Sequence, residues 1–288
     1  MLEPNLILAK ASPEFTIKSD EVRRQFEKTL LANLRLCFKN AGVRAKISCS
    51  RGRIFVLAEN PEGAIRAMKT VFGLHSIALG HEIAGNSLND VSSALLGVAD
   101  GFLESKDSFA LRVNRIAANA LSSQELGREL GSAVMDSIAG LKVDLSNPKK
   151  EIFIELLEGK TIFFTKPEKG AGGLPAGTAG KAAFVFSGLP REFDAALMLM
   201  KRGCSLIAIA ENPSKKTLGE IERLSGWNCG NPLRMRSLEE ARRLGAIGIG
   251  SAESDIRVVL AREKSGFELF PLLFAPKAGE AKARCASE

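Results

Sequence analysis

The sequence predicts an α+β chain that changes, in its last third, to an alternating α/β arrangement. Three observations predict this class. The first eighty residues read as strand, helix, strand, strand, helix, strand, which is the ferredoxin-like order. The next stretch mixes helices and strands without a repeating unit, and beyond a glycine-rich segment strands and helices alternate.

The elements follow in order. Leu6 to Ala9 is a short apolar strand. Val22, Phe26, Leu30, Leu34 and Phe38 then recur at helical spacing, with Arg23, Arg24, Lys28, Arg35 and Lys39 mainly between them, so one face is apolar and the other basic. Ser19 is the candidate N-cap, and Gly42 ends the helix. Strands Arg44 to Ser48 and Arg53 to Ala58 flank the hairpin turn Cys49-Ser50-Arg51-Gly52. Asn60 and Pro61 open a helix through Lys69, and a short strand, Leu74 to Leu79, follows. A helix from Ser87 to Phe102, a strand from Ser108 to Val113 and a capping box at Ser122 and Glu125, with its stripe Leu126, Leu130, Val134 and Ile138, make up the second unit. Strands Glu151 to Leu157 and Thr161 to Phe164 complete it.

Residues 168–181 are glycine-rich and read as a linker. The boundaries expected are therefore 1–80, 81–167, 168–181 and 182–288. In the last region, strand Ala182 to Phe186, helix Glu192 to Arg202, strand Ser205 to Ala210, helices Leu218 to Leu224 and Leu238 to Leu244, and strand Ala246 to Gly250 alternate. Phe267 to Phe274 reads as a further strand, with a polar tail after it.

Composition excludes several function classes. No stretch approaches the roughly 18 to 20 apolar residues of a membrane span. The N-terminus lacks a basic signal-peptide start, so a cytoplasmic protein is expected. The formal charge is +7, and residues 1–80 carry 13 Lys/Arg against 7 Asp/Glu, which points to a polyanionic partner on that third. Residues 81–167 carry 9 against 12, so contacts with a polyanion there would be focal. With 2 His and 5 dispersed Cys the chain has little material for a zinc site or a catalytic triad. Cys204 reads as a structural thiol, and Cys229, in a Gly-Asn-Pro loop, as an exposed one.

Several stretches carry a resemblance. Phe15-Thr16-Ile17-Lys18-Ser19, Phe109 to Arg115, the Ser-Ser-Gln-Glu helix with Gly127 and Gly131, Val143 to Pro148 and the junction Gly172 to Lys181 resemble the tRNA 4-thiouridine synthetases of the ThiI type. The resemblance implies a ferredoxin-like domain, a THUMP domain and a Rossmann-like α/β domain of the PP-loop type. In such enzymes a Ser-Gly-Gly-x-Asp-Ser loop between strand and helix holds ATP phosphates with backbone N–H groups. Here the loop reads Ser187-Gly188-Leu189-Pro190-Arg191-Glu192. Leu189 replaces a glycine, Arg191 the aspartate and Glu192 the last serine, while Pro190 has no N–H to give. The sequence also ends before the region in which the family carries a sulfur-handling cysteine. The expectation is a degenerate loop, with no catalytic residue, cofactor or metal; ATP and Mg enter only if the loop still works.

The resemblance further implies that the ferredoxin-like and THUMP domains take the acceptor end of tRNA. The cations expected to meet it are Lys18, Arg23 and Arg24 at the start of the basic helix, Arg112 and Arg115 on a strand, and Lys149 and Lys150 beside Pro148. A homodimer through the N-terminal half is a further implication. Three functions stay open: a tRNA-binding protein without adenylation activity, which is the leading one; an active sulfurtransferase that works with a partner; and an RNA-binding subunit of a separate tRNA-modifying enzyme.

Overall fold

The computed structural model describes residues 4–15, 17–116, 122–252 and 268–269. The first part of the chain forms β1 (Leu6–Ala11), α1 (Asp20–Asn40), β2 (Ala45–Ser50), β3 (Arg53–Ala58), α2 (Pro61–Met68) and β4 (Leu74–Ala84). Helix α1 buries Phe26, Leu30, Leu34, Cys37 and Phe38 against the sheet, leaving its basic residues outward. Ser19 occupies the cap position, but its side chain makes no capping bond; its carbonyl accepts from the N–H of Arg23. Asn60 caps α2 as expected, its side chain accepting from the N–H of Gly63 at 3.0 Å. The β2–β3 turn places Arg51 and Gly52 at φ 49° and 73°, the left-handed pair that matches strand twist in a two-residue hairpin.

The second part forms α3 (Leu88–Asp100), β5 (Ser108–Arg115), α4 (Ser123–Ser137), β6 (Lys142–Val143), β7 (Lys150–Leu157), β8 (Lys160–Phe164) and β9 (Glu168–Lys169). The capping box is present: Ser122 accepts from the N–H of Glu125, and the Glu125 carboxylate accepts from the N–H of Ser122.

Both parts share one sheet, in the order β2-β3-β1-β4-β8-β7-β5-β6, with β9 also on β4. Strand β4 is the join, and it runs past the Leu79 end expected from the sequence. Its first half pairs with β1, Leu6 opposite Gly80, and its second half pairs with β8, Gly80 opposite Phe164 and Ala84 opposite Lys160. Helices α1 and α2 cover one core and α3 and α4 another. On the sheet faces turned away from those helices, Leu6, Leu8 and Phe55 of the first part pack with Leu157, Ile162 and Phe164 of the second.

Residues 168–181 are a fitted strap. Gly73 N–H donates to Gly172 O at 2.9 Å, Leu174 N–H to Lys201 O at 2.9 Å, and Ala179 N–H to Gly203 O at 3.0 Å. Gly173, at φ 70°, runs so close to the end of the next helix that a Cβ would lie 2.2 Å from the carbonyl oxygen of Lys201, so only glycine fits there.

Beyond the strap come β10 (Lys181–Phe186), α5 (Glu192–Lys201), β11 (Ser205–Ala210), α6 (Lys215–Trp227), α7 (Leu238–Arg243), β12 (Ala246–Ser251) and β13 (Glu268–Leu269). All described pairings in this sheet are parallel, in the order β11-β10-β12-β13. Chain order reverses between β10 and β12, so the loop after β10 opens at the switch point where α/β folds bind ligands. Most of the strand expected over Phe267 to Phe274, and the tail with Cys285, lie outside the described residues. Trp227, at the end of α6, stacks on Phe72 with ring centroids 5.5 Å apart and seats this unit against the ferredoxin-like part.

Candidate functional site

Two places carry chemistry. The first is a groove of about 790 Å³ between α4 and the β5–β7 strands. Gly127 and Gly131, one turn apart on α4, leave its wall low; a Cβ on Gly131 would meet nothing within 4 Å. Phe109 and Phe153 line it, Met135, Val143 and Leu145 give an exposed apolar rim, and Lys10, Arg112, Asn114 and Arg128 bring polar groups.

At one end of the groove lies Glu155, only 1% exposed. Its carboxylate takes Lys10 at 2.5 Å and Arg53 at 3.2 Å, and accepts from Asn114 Nδ2 at 3.0 Å. Two cations from the ferredoxin-like part thus neutralise one buried carboxylate of the second part, which leaves this end of the groove net basic. Lys10 also sits 5.4 Å from the centre of the Phe164 ring.

The sequence-predicted cations fall into three groups. Lys18 and Arg24 are exposed at the start of α1, and Arg23 beside them pairs with Asp20 at 2.7 Å. Arg112 reaches into the groove, its Nε on Glu151 at 2.7 Å and one terminal nitrogen donating to Leu145 O at 2.9 Å; Arg115 ends the same strand. Lys149 and Lys150 both bond to buried Asp107, at 2.7 and 2.8 Å; Lys149 keeps 67% of its side chain exposed, whereas Lys150 is turned to the fold and also reaches Glu104 at 3.0 Å and Phe102 O at 2.8 Å. Lys150 has therefore committed all three of its donors within the protein. Sequence reasoning missed Lys10, Asn114, Arg128 and the two glycines as groove residues. The i, i+4 glycine spacing was a usable signal for α4, whereas Lys10 arrives from a strand far away in sequence.

The ammonium groups of Lys149 and Lys150 beside Asp107 hold its carboxyl well below the usual carboxylate range. Because folding favours the charged form, this stabilisation is complete above the ordinary Asp value of about 4 and is lost as pH falls through the depressed folded value. D107N is expected to melt at a lower temperature than the parent at neutral pH, and thermal scans should show the gap narrowing only below about pH 4.

The second place is the loop after β10. Gly188 and Arg191 take left-handed φ values of 80° and 69°, and α5 begins at Glu192. Glu192 is completely buried. Its carboxylate turns back and accepts from the N–H of Ser187 at 2.5 Å and of Gly188 at 3.1 Å. Two backbone N–H groups of the loop before α5 are thus held by a side chain of the same protein. Leu189 adds bulk and Pro190 gives no donor beside them.

The thiols differ from expectation at one position. Cys229, read as exposed, is 6% exposed because its loop packs against the end of α1, a contact that local sequence does not show. Cys204 is buried at the α5–β11 turn, and burial pushes its thiol up. Among the described residues no group of three His, Cys, Asp or Glu is placed to hold a metal, and no helix is long and apolar enough to cross a membrane.

Fold and groove together define a THUMP-domain protein. A ThiI ferredoxin-like domain matches residues 6–78 and a THUMP domain residues 85–166, so the chain belongs with the ThiI-type proteins that carry these two domains. It is 32% identical over 267 residues to a probable tRNA sulfurtransferase of Methanothermobacter thermautotrophicus, covering 88% of this chain and 66% of that protein. It is 34% identical over 235 residues to one of Saccharolobus solfataricus, covering 80% and 62%. The chain thus spans about two thirds of the length of these relatives. In fold it is similar to PH1313 of Pyrococcus horikoshii, with a TM-score of 0.83, 24% identity and 98% of each chain covered. It is also similar to a 4-thiouridine synthetase solved with RNA and ATP, with a TM-score of 0.74, 18% identity and 99% and 85% covered.

Proposed function

We propose that this protein binds the acceptor end of tRNA and does not itself activate the RNA with ATP. The observation that carries the second half is the Glu192 carboxylate on the N–H groups of Ser187 and Gly188. A phosphate at this loop would have to displace a buried, doubly bonded anion and then sit beside its negative charge. Arg191 stands where the family aspartate would take part in the chemistry, and nothing in Leu189-Pro190 replaces the lost glycine and donor.

For RNA binding, the support is the low-walled groove on α4 together with the exposed cations of α1. Stacked or single-stranded nucleotides suit a cleft with an apolar rim and a few cations, and phosphates suit the exposed start of α1. Lys18, Arg23, Arg24, Arg112 and Arg115 are the proposed phosphate contacts, and Lys10 and Arg128 join them at the groove. Lys149, exposed beside Asp107, is also a proposed phosphate contact, and Lys150 has a structural role in this account.

A second function is favoured by the names of the relatives: an ATP-dependent tRNA sulfurtransferase, with a partner supplying sulfur. The experiment that separates the two is equilibrium tRNA binding, with ATP–pyrophosphate exchange run on the same preparation. Binding without exchange is the expected result. Exchange above background would return the enzyme.

A further inference from the structure

Helix α1 has three faces. Phe26, Leu30, Leu34, Cys37 and Phe38 go into the core. A second face meets the rest of the chain: Asn33 Nδ2 donates to Ala176 O of the strap at 3.0 Å, and Asn40 Nδ2, in the last turn, donates to Cys229 O in the loop after α6 at 2.8 Å. The third face is open. Arg24, Lys28, Arg35 and Lys39 stand on it, all exposed, and at about 100° of turn per residue they fall within an arc of about 60°. With a rise of about 1.5 Å per residue the row is about 22 Å long. None of the four has an ion pair among the described residues, whereas Lys10 and Arg53 are held by Glu155, Arg66 by Glu62 and Lys69 by Glu168. The carboxylates of α1 lie at the start of the row or off it: Asp20 is taken by Arg23, Glu21 stands in the first turn, and half-buried Glu27 is within electrostatic reach of Cys49 on β2. Arg24 and Lys28, and again Arg35 and Lys39, are like charges at i, i+4, a spacing that weakens a helix on its own. Burial of the opposite face and the two asparagine clamps hold α1 in spite of it.

We propose that this row is a track for the phosphates of double-stranded RNA, a contact separate from the α4 groove, which rests on the tRNA-binding function given above and extends it from the 3′ end to the paired stem. Charge, stiffness and the lack of aromatics on the open face all favour a duplex backbone as the occupant. Four cations with no carboxylate on the row between them complement a continuous line of negative charge, and a polyanion relieves the repulsion that the two like-charged pairs build into the helix. The clamped helix keeps the cations in a fixed, straight row, which suits the shape of a stiff duplex. Both aromatic residues of α1, Phe26 and Phe38, are buried, so the open face has no platform on which unpaired bases could stack. Such a row reads charge and shape and carries no base preference of its own.

The test compares the full-length parent with K28Q/R35Q/K39Q on a blunt RNA duplex, a single-stranded RNA of the same length, and intact and 3′-trimmed tRNA, across a salt series. The variant is expected to bind the duplex about tenfold more weakly or worse, and its slope of log binding constant against log salt should be shallower by about 2 to 3, because each lost phosphate contact removes about one unit. Its preference for intact over trimmed tRNA should stay at the parent value, and its melting temperature should not fall, since two repulsions are relieved. The control K215Q/K216Q/R234Q, which takes the same charge from exposed positions of the α/β unit, should keep the parent's affinity for the duplex. Equal loss in the two triple variants, or unchanged affinity and slope in K28Q/R35Q/K39Q, would overturn the track, as would a parent that binds the duplex no better than the single strand. A parent that binds the duplex through the row yet does not prefer the intact 3′ end would instead contradict acceptor-end recognition and leave the track standing.

Discussion

G131L is expected to weaken tRNA binding by about tenfold or more, a loss of roughly 1.4 kcal/mol, without lowering the melting temperature. The two halves of this expectation have separate causes. Gly131 sits inside α4, where glycine is about 1 kcal/mol worse than a good helix former, so leucine improves the local helix. A Cβ there would meet nothing within 4 Å because it would project into the groove, and the remaining leucine carbons then fill space that a nucleotide would occupy. An ordinary core substitution loses stability and binding together; this one is expected to separate them. Fluorescence anisotropy with labelled tRNA and a thermal scan on the same samples measure both. Unchanged affinity would remove the groove from the account and leave the α1 cations alone.

E192A is expected to convert a loop that ignores phosphate into one that binds it. The parent should show no thermal shift with inorganic pyrophosphate, because its two loop donors are held by Glu192. Truncation frees the N–H groups of Ser187 and Gly188 at a helix start, where an anion is favoured by both hydrogen bonds and the helix dipole. At a pyrophosphate concentration tenfold above the dissociation constant, the melting temperature should rise by about 3 °C or more. An equal shift in parent and variant would show that Glu192 does not block the site. The variant L189G/R191D/E192S extends the same test to ATP–pyrophosphate exchange, since it rebuilds the family loop around these two donors.

What the sequence shows well is local. The Ser122–Glu125 capping box and the strand–loop–helix carrying Ser187 to Glu192 each depend on residues within a few positions of one another, and each appears where its pattern places it; the hairpin turn expected over Cys49 to Gly52 is tighter, with Cys49 and Ser50 in β2 and only Arg51-Gly52 turning. Continuity of the sheet through β4 was not legible. Gly80 to Ala84 has polar His81 and Glu82 in it, and its partner β8 lies about eighty residues on, so no local period marks it as a strand. The candidate cations show the same division. Their charge is visible in the sequence, but the use of Lys150 depends on Asp107 about forty residues earlier, and only the fold separates it from Lys18 and Arg24. For Glu192 the sequence gives a carboxylate at the wrong place in a phosphate loop; that it turns inward and takes the loop's own donors is a matter of side-chain direction.

The two candidate places are consistent with each other in physical terms. Lys10 and Arg53 from the ferredoxin-like part meet Glu155 from the THUMP part beside the groove, so the sheet that joins the domains also sets the charge of the cleft. The α/β unit keeps the strand order and switch-point loop of a nucleotide-binding fold while its donors are satisfied internally.

The most direct measurement is the affinity for intact tRNA against the same tRNA trimmed of its 3′ single-stranded end, across a salt series. The account predicts that the intact molecule binds about tenfold tighter or more, and that the logarithm of the binding constant falls linearly with that of salt concentration as phosphate contacts release counterions. Equal affinity for the two tRNAs would contradict recognition of the acceptor end, whatever the strength of binding.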